Sequence, residues 1–204
     1  FYQPDLVIID PTALSSLPKR EIISGYAEIL KHALIKDKNF YTWLAKNYSD
    51  VISLEKKSIS YAINKSIKIK TFFVQSDEKE NSINNTSRAM LNFGHTLGHA
   101  LEAMNGYNNK LNHGEAVAIG MALATKISNK LKHINNKEYD SLINHLKKVG
   151  LPYTSTRVND RLFDLMMIDK KNSNNLVNLI LLKKIGSAYY ERGIKKERIK
   201  KLLS

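Results

Sequence analysis

Cysteine is absent from the 204-residue chain, which excludes disulfides, thiolate metal sites and thiol nucleophiles. That absence suits a reducing cytoplasm, the location expected for the protein. No apolar run approaches the roughly 20 residues of a membrane span, and FYQPDLVIID at the start lacks the basic-then-apolar order of a signal peptide. Acidic residues are in short supply, 19 against 32 lysines and arginines, for a net charge of +13. Such an excess raises nucleic acid or an anionic ligand as partners. The basic tracts at Lys183–Lys184 and Lys195–Lys201 have no interleaved aromatic residues to stack bases, so solvated surface lysine explains most of the charge. Apolar residues make up 43% of the chain, enough for a real core in one large domain or two small ones. Opening on Phe1 in strand-like residues suggests a piece of a longer polypeptide.

Asp5–Asp10 (DLVIID) reads as a short buried strand ended by Pro11. Ser15 and Ser16 offer N-caps, Pro18 suits a first helical turn, and REIISGYAEILKHALIK continues as a helix. Gly25 inside it costs about 1 kcal/mol against alanine, which suggests close approach of another helix or a ligand. Further helices are expected from Asp37 through Trp43, from Ser53 to about Gln75, over His113–Lys132, from Lys137 to Val149 and over Asp160–Met167. The polar stretch Ser76–Thr86 reads as an exposed loop. Leu176–Leu182 and Ser187–Tyr190 form a β-hairpin around Lys183–Gly186, and Lys196–Leu203 closes the chain as a basic helix. The expected fold is mainly α: a multi-helix domain over residues 1–204 with a short N-terminal strand and a small β-hairpin near the C-terminus.

The most informative run is LNFGHTLGHALE, Leu91–Glu102. On a continuous helix Arg88, Asn92, His95 and His99 fall at i, i+4, i+7 and i+11, a polar line on one face. Glu28, Lys31 and His32 (AEILKH) and His113–Glu115 (HGE) are further polar clusters on helices. A borderline cation such as zinc takes imidazole nitrogen and carboxylate oxygen, with three protein ligands at a catalytic site and one position open. One glutamate and two histidines from three helices meet that description. HTLGH lacks the glutamate after its first histidine, where Thr96 stands, so it is no metallopeptidase signature. Taken singly, the HTLGH pair reads more readily as core or capping histidines, Glu28 with Lys31 and His32 as an ordinary surface ion pair, and His113–Glu115 as a helix start.

Three ordered blocks give a more specific reading. FYQPDLVIIDPTALSSLPKREIISGYAEILKHALIKD, then RAMLNFGHTLGHALEA with LNHGEAVAIGM, then IDKKN with LILLKKIG resemble the C-terminal domain of 3-dehydroquinate synthases over nearly the whole chain. The resemblance implies a lyase of the shikimate route to chorismate and the aromatic amino acids. That enzyme turns 3-deoxy-D-arabino-heptulosonate 7-phosphate into 3-dehydroquinate and phosphate, using NAD regenerated in each turnover and Zn2+ or Co2+. It further implies Glu28, His95 and His113 as metal ligands. Lys31, Lys70, Arg88, Asn92 and His99 would meet the substrate's carboxylate, hydroxyls and phosphate, with Lys171 near the phosphate. Ser16 stands where a threonine near the cofactor is common, and Glu80 takes the place of a family glutamate in a loop, Lys79–Thr86, that carries an insertion.

No G-x-G-x-x-G occurs, so the dinucleotide would be held by an N-terminal NAD-binding domain of the same polypeptide, and this chain alone is expected to be inactive. A homodimer of the full enzyme is the expected assembly, without nucleic acid or membrane as partner. Another sugar-phosphate cyclase on the same scaffold is the nearest alternative, though Arg88 and Lys70 favour a substrate bearing a carboxylate. A basic nucleic-acid-binding helical module, or a structural domain that dimerises, would leave the glutamate and two histidines unexplained.

Overall fold

The computed structural model describes residues 4–82, 84–106, 110–167 and 176–204. Lys171 lies outside the described residues. The elements run α1 (Lys19–Lys36), α2 (Lys38–Ile52), α3 (Lys56–Ser76), α4 (His95–Met104), α5 (His113–Lys130), α6 (Asn136–Val149), α7 (Asp160–Met166), β1 (Leu176–Lys184), β2 (Ser187–Lys195) and α8 (Lys196–Leu203). Two 3-10 turns, Pro11–Ser16 and Arg88–Asn92, precede α1 and α4. No helix among the described residues is long and apolar enough to cross a membrane.

Local chemistry accounts for most helix starts. Asp37 accepts from the Phe40 N–H, and Asn112 and Asn135 each close a capping box with the glutamate three residues on. At the far end of α6, Gly150 takes the left-handed conformation at φ 84°, the usual helix stop. Helix α5 is buried nearly all round from Ala116 to Ser128, as a helix apolar on every side must be. Helices α1, α4, α6 and α8 and strand β1 surround it. The hairpin pairs Ile180 with Tyr190 and Leu182 with Ala188, and its Leu182 N–H donates to Ser128 Oγ on α5. Both strands run past their expected ends, to Lys184 and Lys195.

Five expectations need correction. Residues 5–10 form no strand: Leu6, Val7 and Ile8 are 75%, 65% and 83% exposed, and the sheet formed by the described residues is the β1–β2 hairpin, so the segment has no neighbour to pair with. The cap at the N-terminus is Asp10, whose carboxylate accepts from Thr12 N–H and Oγ–H; Ser15 and Ser16 instead donate to carbonyls inside the 3-10 turn. Helix α3 begins at Lys56 under a Glu55 cap, and α2 continues beyond Trp43 to Ile52. The helix expected through Arg88–His99 is broken at Gly94.

Gly25 meets nothing within 4 Å of a built Cβ and faces an apolar groove of about 220 Å³ lined by Leu14, Leu17, Ile22, Ile29 and Ile63. Among the described residues its expected close neighbour is missing. Gly25→Ala should therefore raise stability by about 1 kcal/mol, the helix-propensity difference, read from urea unfolding. A loss of stability would mean that the groove is already filled.

His145 is buried on α6, with Nε2 2.9 Å from the Tyr26 hydroxyl and Tyr41 and Tyr48 packed around its ring. Burial, assisted by the Lys148 charge, lowers its pKa to about 4. In the unfolded chain the imidazole titrates near 6.5, so between pH 6.5 and 4 the unfolded state binds more protons. Stability present above pH 6.5 is lost as pH falls through that window, by up to about 3 kcal/mol from this group. His145→Gln should flatten the pH dependence of the unfolding midpoint; an unchanged slope would contradict the assignment.

Candidate metal centre

One stripe of α1 docks the start of α5. Arg20, Ser24 and Glu28 sit at i, i+4 and i+8, hence on a common face. Arg20 grips Glu115 with two bonds, Nε to Oε1 at 2.8 Å and Nη2 to Oε2 at 2.7 Å, and also donates to the Lys110 carbonyl. One turn on, the Gly114 N–H donates to Ser24 Oγ at 3.0 Å. A Cβ on Gly114 would lie 2.2 Å from the Ser24 carbonyl oxygen, so only glycine permits this approach. The next turn brings Glu28 Oε1 to 3.8 Å from His113 Nε2.

The second contact is between α4 and α5. A Cβ on Gly120 would lie 1.9 Å from the Gly94 carbonyl oxygen, and one on Gly98 would lie 3.1 Å from that of Ala116. Gly94 is left-handed at φ 80°, pressed against Met121. This kink ends the Arg88–Asn92 turn and starts α4 afresh at His95, so the continuous polar line does not form. What the packing achieves instead is to set His95 Nε2 3.7 Å from Glu28 Oε1.

Glu28, His95 and His113 thus offer ligand atoms that all lie within 4.8 Å of one another. Their protonation is constrained. His95 Nδ1 is 3.2 Å from the Phe93 carbonyl, an acceptor only, so Nδ1 carries the hydrogen and Nε2 points its lone pair at Glu28. Burial first, then the Lys31 charge, lowers the His95 pKa to about 4, which keeps the ring neutral. Glu28 Oε2 accepts from Lys31 Nζ at 2.6 Å, while Oε1 is buried with no hydrogen-bond partner among the described residues. Burial works to raise the Glu28 pKa, but the Lys31 ammonium and its hydrogen bond prevail and hold it below the usual value. A buried, unpartnered carboxylate oxygen costs on the order of 1–3 kcal/mol. Oxygen and imidazole lone pairs converging on one point repel unless a cation sits between them. The residues therefore fit a divalent metal, with the zinc-type donor set of two nitrogens and one oxygen.

The other predicted residues divide. Lys31 is 3% exposed, not on the surface, and burial lowers its pKa despite Glu28. Lys70 is exposed on α3, and its charge acts on both Lys31 and His32. His32 is buried on α1, its Nδ1 2.5 Å from Ser66 Oγ, outside the cluster. His99 is exposed, its ring 5.3 Å from that of His95 and 6.1 Å from that of His113. Arg88 and Asn92 belong to the preceding 3-10 turn and engage the acidic loop: Arg88 Nη1 donates to the Glu78 carbonyl and Asn92 Nδ2 to Glu80 Oε1 at 3.3 Å. Ser16 is exposed in the N-terminal turn and donates to the Ala13 carbonyl. Sequence reasoning missed Arg20, Ser24 and Asp77. The first two could have been found as the i−8 and i−4 neighbours of Glu28. Asp77 is 7% exposed and its carboxylate collects the N–H groups of Asn81, Ser82 and Arg88, anchoring the loop that carries Glu80.

Fold and site define a mainly helical domain that brings one carboxylate and two imidazoles together beside a buried lysine. Residues 25–172 match the family described as 3-dehydroquinate synthase C-terminal. The 3-dehydroquinate synthase of Pelagibacter ubique (strain HTCC1062) is 45% identical over 94% of this chain and 52% of its own length. That of Geobacillus thermodenitrificans (strain NG80-2) is 44% identical over 91% and 50%. The chain belongs to the 3-dehydroquinate synthase family, and it spans about half the length of these relatives. Among solved structures, a 2-epi-5-epi-valiolone synthase from Streptomyces hygroscopicus subsp. jinggangensis 5008, with NAD+ and Zn2+ bound, superposes at a TM-score of 0.84 with 22% identity, over 95% of this chain and 53% of that one. A 2-deoxy-scyllo-inosose synthase complexed with carbaglucose-6-phosphate, NAD+ and Co2+ gives 0.77 and 24%, over 95% and 55%. These last two establish the fold alone.

Proposed function

We propose that this chain is the metal- and substrate-binding half of a 3-dehydroquinate synthase, acting on 3-deoxy-D-arabino-heptulosonate 7-phosphate in the shikimate route. The observation that carries the reading is the orphaned Glu28 Oε1 facing His95 Nε2 and His113 Nε2. Zn2+ or Co2+ held by Glu28, His95 and His113 would supply Lewis acidity toward the substrate's hydroxyl oxygens. Lys31 keeps Glu28 ionised and fixes its orientation through Oε2, leaving Oε1 for the cation. Lys70 and Arg88 meet the substrate's anionic groups, the arginine able to grip an oxyanion with two parallel bonds. Asn92 provides an uncharged donor and acceptor for hydroxyls, and His99, exposed beside both imidazoles, can hold or pass a proton at the rim. Lys171 would serve the substrate phosphate and Ser16 the cofactor. NAD would be held by the half of the enzyme that this chain does not match, in a cytoplasmic homodimer.

Relatives above 40% identity named 3-dehydroquinate synthase favour this substrate over those of the inosose or valiolone synthases, which share the fold at 22–24%. Retention of Arg88 and Lys70 favours a carboxylate-bearing substrate as well. Phosphate release by the full-length enzyme should occur with the heptulosonate phosphate and not with glucose 6-phosphate or sedoheptulose 7-phosphate. The reverse preference would reassign the protein to another cyclase.

A further inference from the structure

His113 is the weakly held member of the cluster. Its side chain is 49% exposed, against 14% for His95, and it stands at the first position of α5. An imidazole half in water keeps a single orientation only if something ties its far nitrogen. The Glu102 carboxylate does so, with Oε1 3.2 Å from His113 Nδ1 and its own side chain 15% exposed. Glu102 lies seven residues after His95 on α4, two turns along the same face. One helix thus carries both a ligand and the holder of a ligand from another helix.

We propose that Glu102 is a positioning residue of the metal centre: it takes the Nδ1 hydrogen of His113 and so presents Nε2 to the cation. The inference rests on the reading of Glu28, His95 and His113 as ligands. Two effects follow from the contact. Accepting from Nδ1–H selects the tautomer with a free Nε2 lone pair, as the Phe93 carbonyl does for His95. The negative charge also raises the donor strength of Nε2, opposing the positive end of α5 on which His113 sits. His99, Glu102 and His113 also come within 4.8 Å of one another and could be imagined to hold a second cation. That cation would need the Nδ1 lone pair, which does not exist while Nδ1–H donates to Glu102 and Nε2 serves the first.

The test is Co2+ titration of the full-length enzyme by equilibrium dialysis and visible absorption, for wild type, Glu102→Gln, Glu102→Ala and His95→Ala. Wild type should take one equivalent and His95→Ala none. Glu102→Ala should bind about 10–100-fold more weakly with a shifted cobalt band, and Glu102→Gln should fall between, because an amide oxygen still accepts from Nδ1–H but bears no charge. Circular dichroism of the metal-free variants should match wild type. Binding by Glu102→Ala as tight as wild type, with His95→Ala still inert, would overturn the role of Glu102 and leave the metal site standing. Two equivalents on wild type and one on Glu102→Ala would make Glu102 a ligand and also overturn it. Wild type no tighter than His95→Ala would remove the metal site itself, and this inference with it.

Discussion

His95→Ala is expected to leave the full-length enzyme without bound metal and without measurable turnover, while its helical circular dichroism is retained. The imidazole is the most constrained of the three ligands: neutral through burial, fixed by the Phe93 carbonyl, and seated where Gly94 lets α4 start against α5. Removing it leaves one carboxylate oxygen and one half-exposed imidazole, too few ligands for tight binding. A Lewis acid contributes several kcal/mol at the transition state, so the loss corresponds to about 10³-fold or more in kcat. Metal analysis and a phosphate-release assay on the same preparation check this. Full activity in a metal-free His95→Ala enzyme would end the assignment of this residue.

The 204-residue chain by itself should release no phosphate from the heptulosonate substrate even with NAD and zinc supplied. Joined to the half that its relatives possess, it should turn over. The hydride acceptor must sit about 3–3.5 Å from the reacting carbon, a placement that makes up a large part of such a barrier. Nothing in the sequence corresponds to the glycine loop and helix N-terminus that cradle a dinucleotide's pyrophosphate. The exposed run Leu6–Ile9 points the same way. Consecutive apolar residues bare on both faces have the composition of a strand buried within a parallel sheet. Equal rates from the short and the joined chains would show that the cofactor site has been misplaced.

Much of the fold was legible because its signals are local. Asp37 and Asn112 cap the helices they precede, and the helix expected over His113–Lys132, rich in alanine and glycine, is the tightly packed α5. The hairpin and α8 lie where alternation and charge put them. What escaped depends on distant partners. The polar line from Arg88 to His99 fits a helical period, but a 3-10 turn and a left-handed Gly94 interrupt it, where Gly94 lies tight against Met121 on another helix. DLVIID has the right composition for a strand and no partner among the described residues. Glu28, His95 and His113 were recovered through a resemblance, not through spacing; the geometry then placed them together. Arg20 and Ser24 bond to residues ninety or more positions away, and Glu102 meets His113 from a different helix. The helical period puts Arg20 and Ser24 on the face of Glu28 but does not report which distant residues they meet.

Extended X-ray absorption at the zinc edge tests the central claim most directly, on the full-length enzyme loaded with one equivalent of Zn2+. A shell of nitrogen and oxygen at about 2.0–2.2 Å, with the outer-ring scattering of two imidazoles, is the predicted result. That scattering should fall to one imidazole in His113→Ala. A shell of oxygen alone, or two imidazoles that persist when His113 is removed, would contradict a centre built from Glu28, His95 and His113.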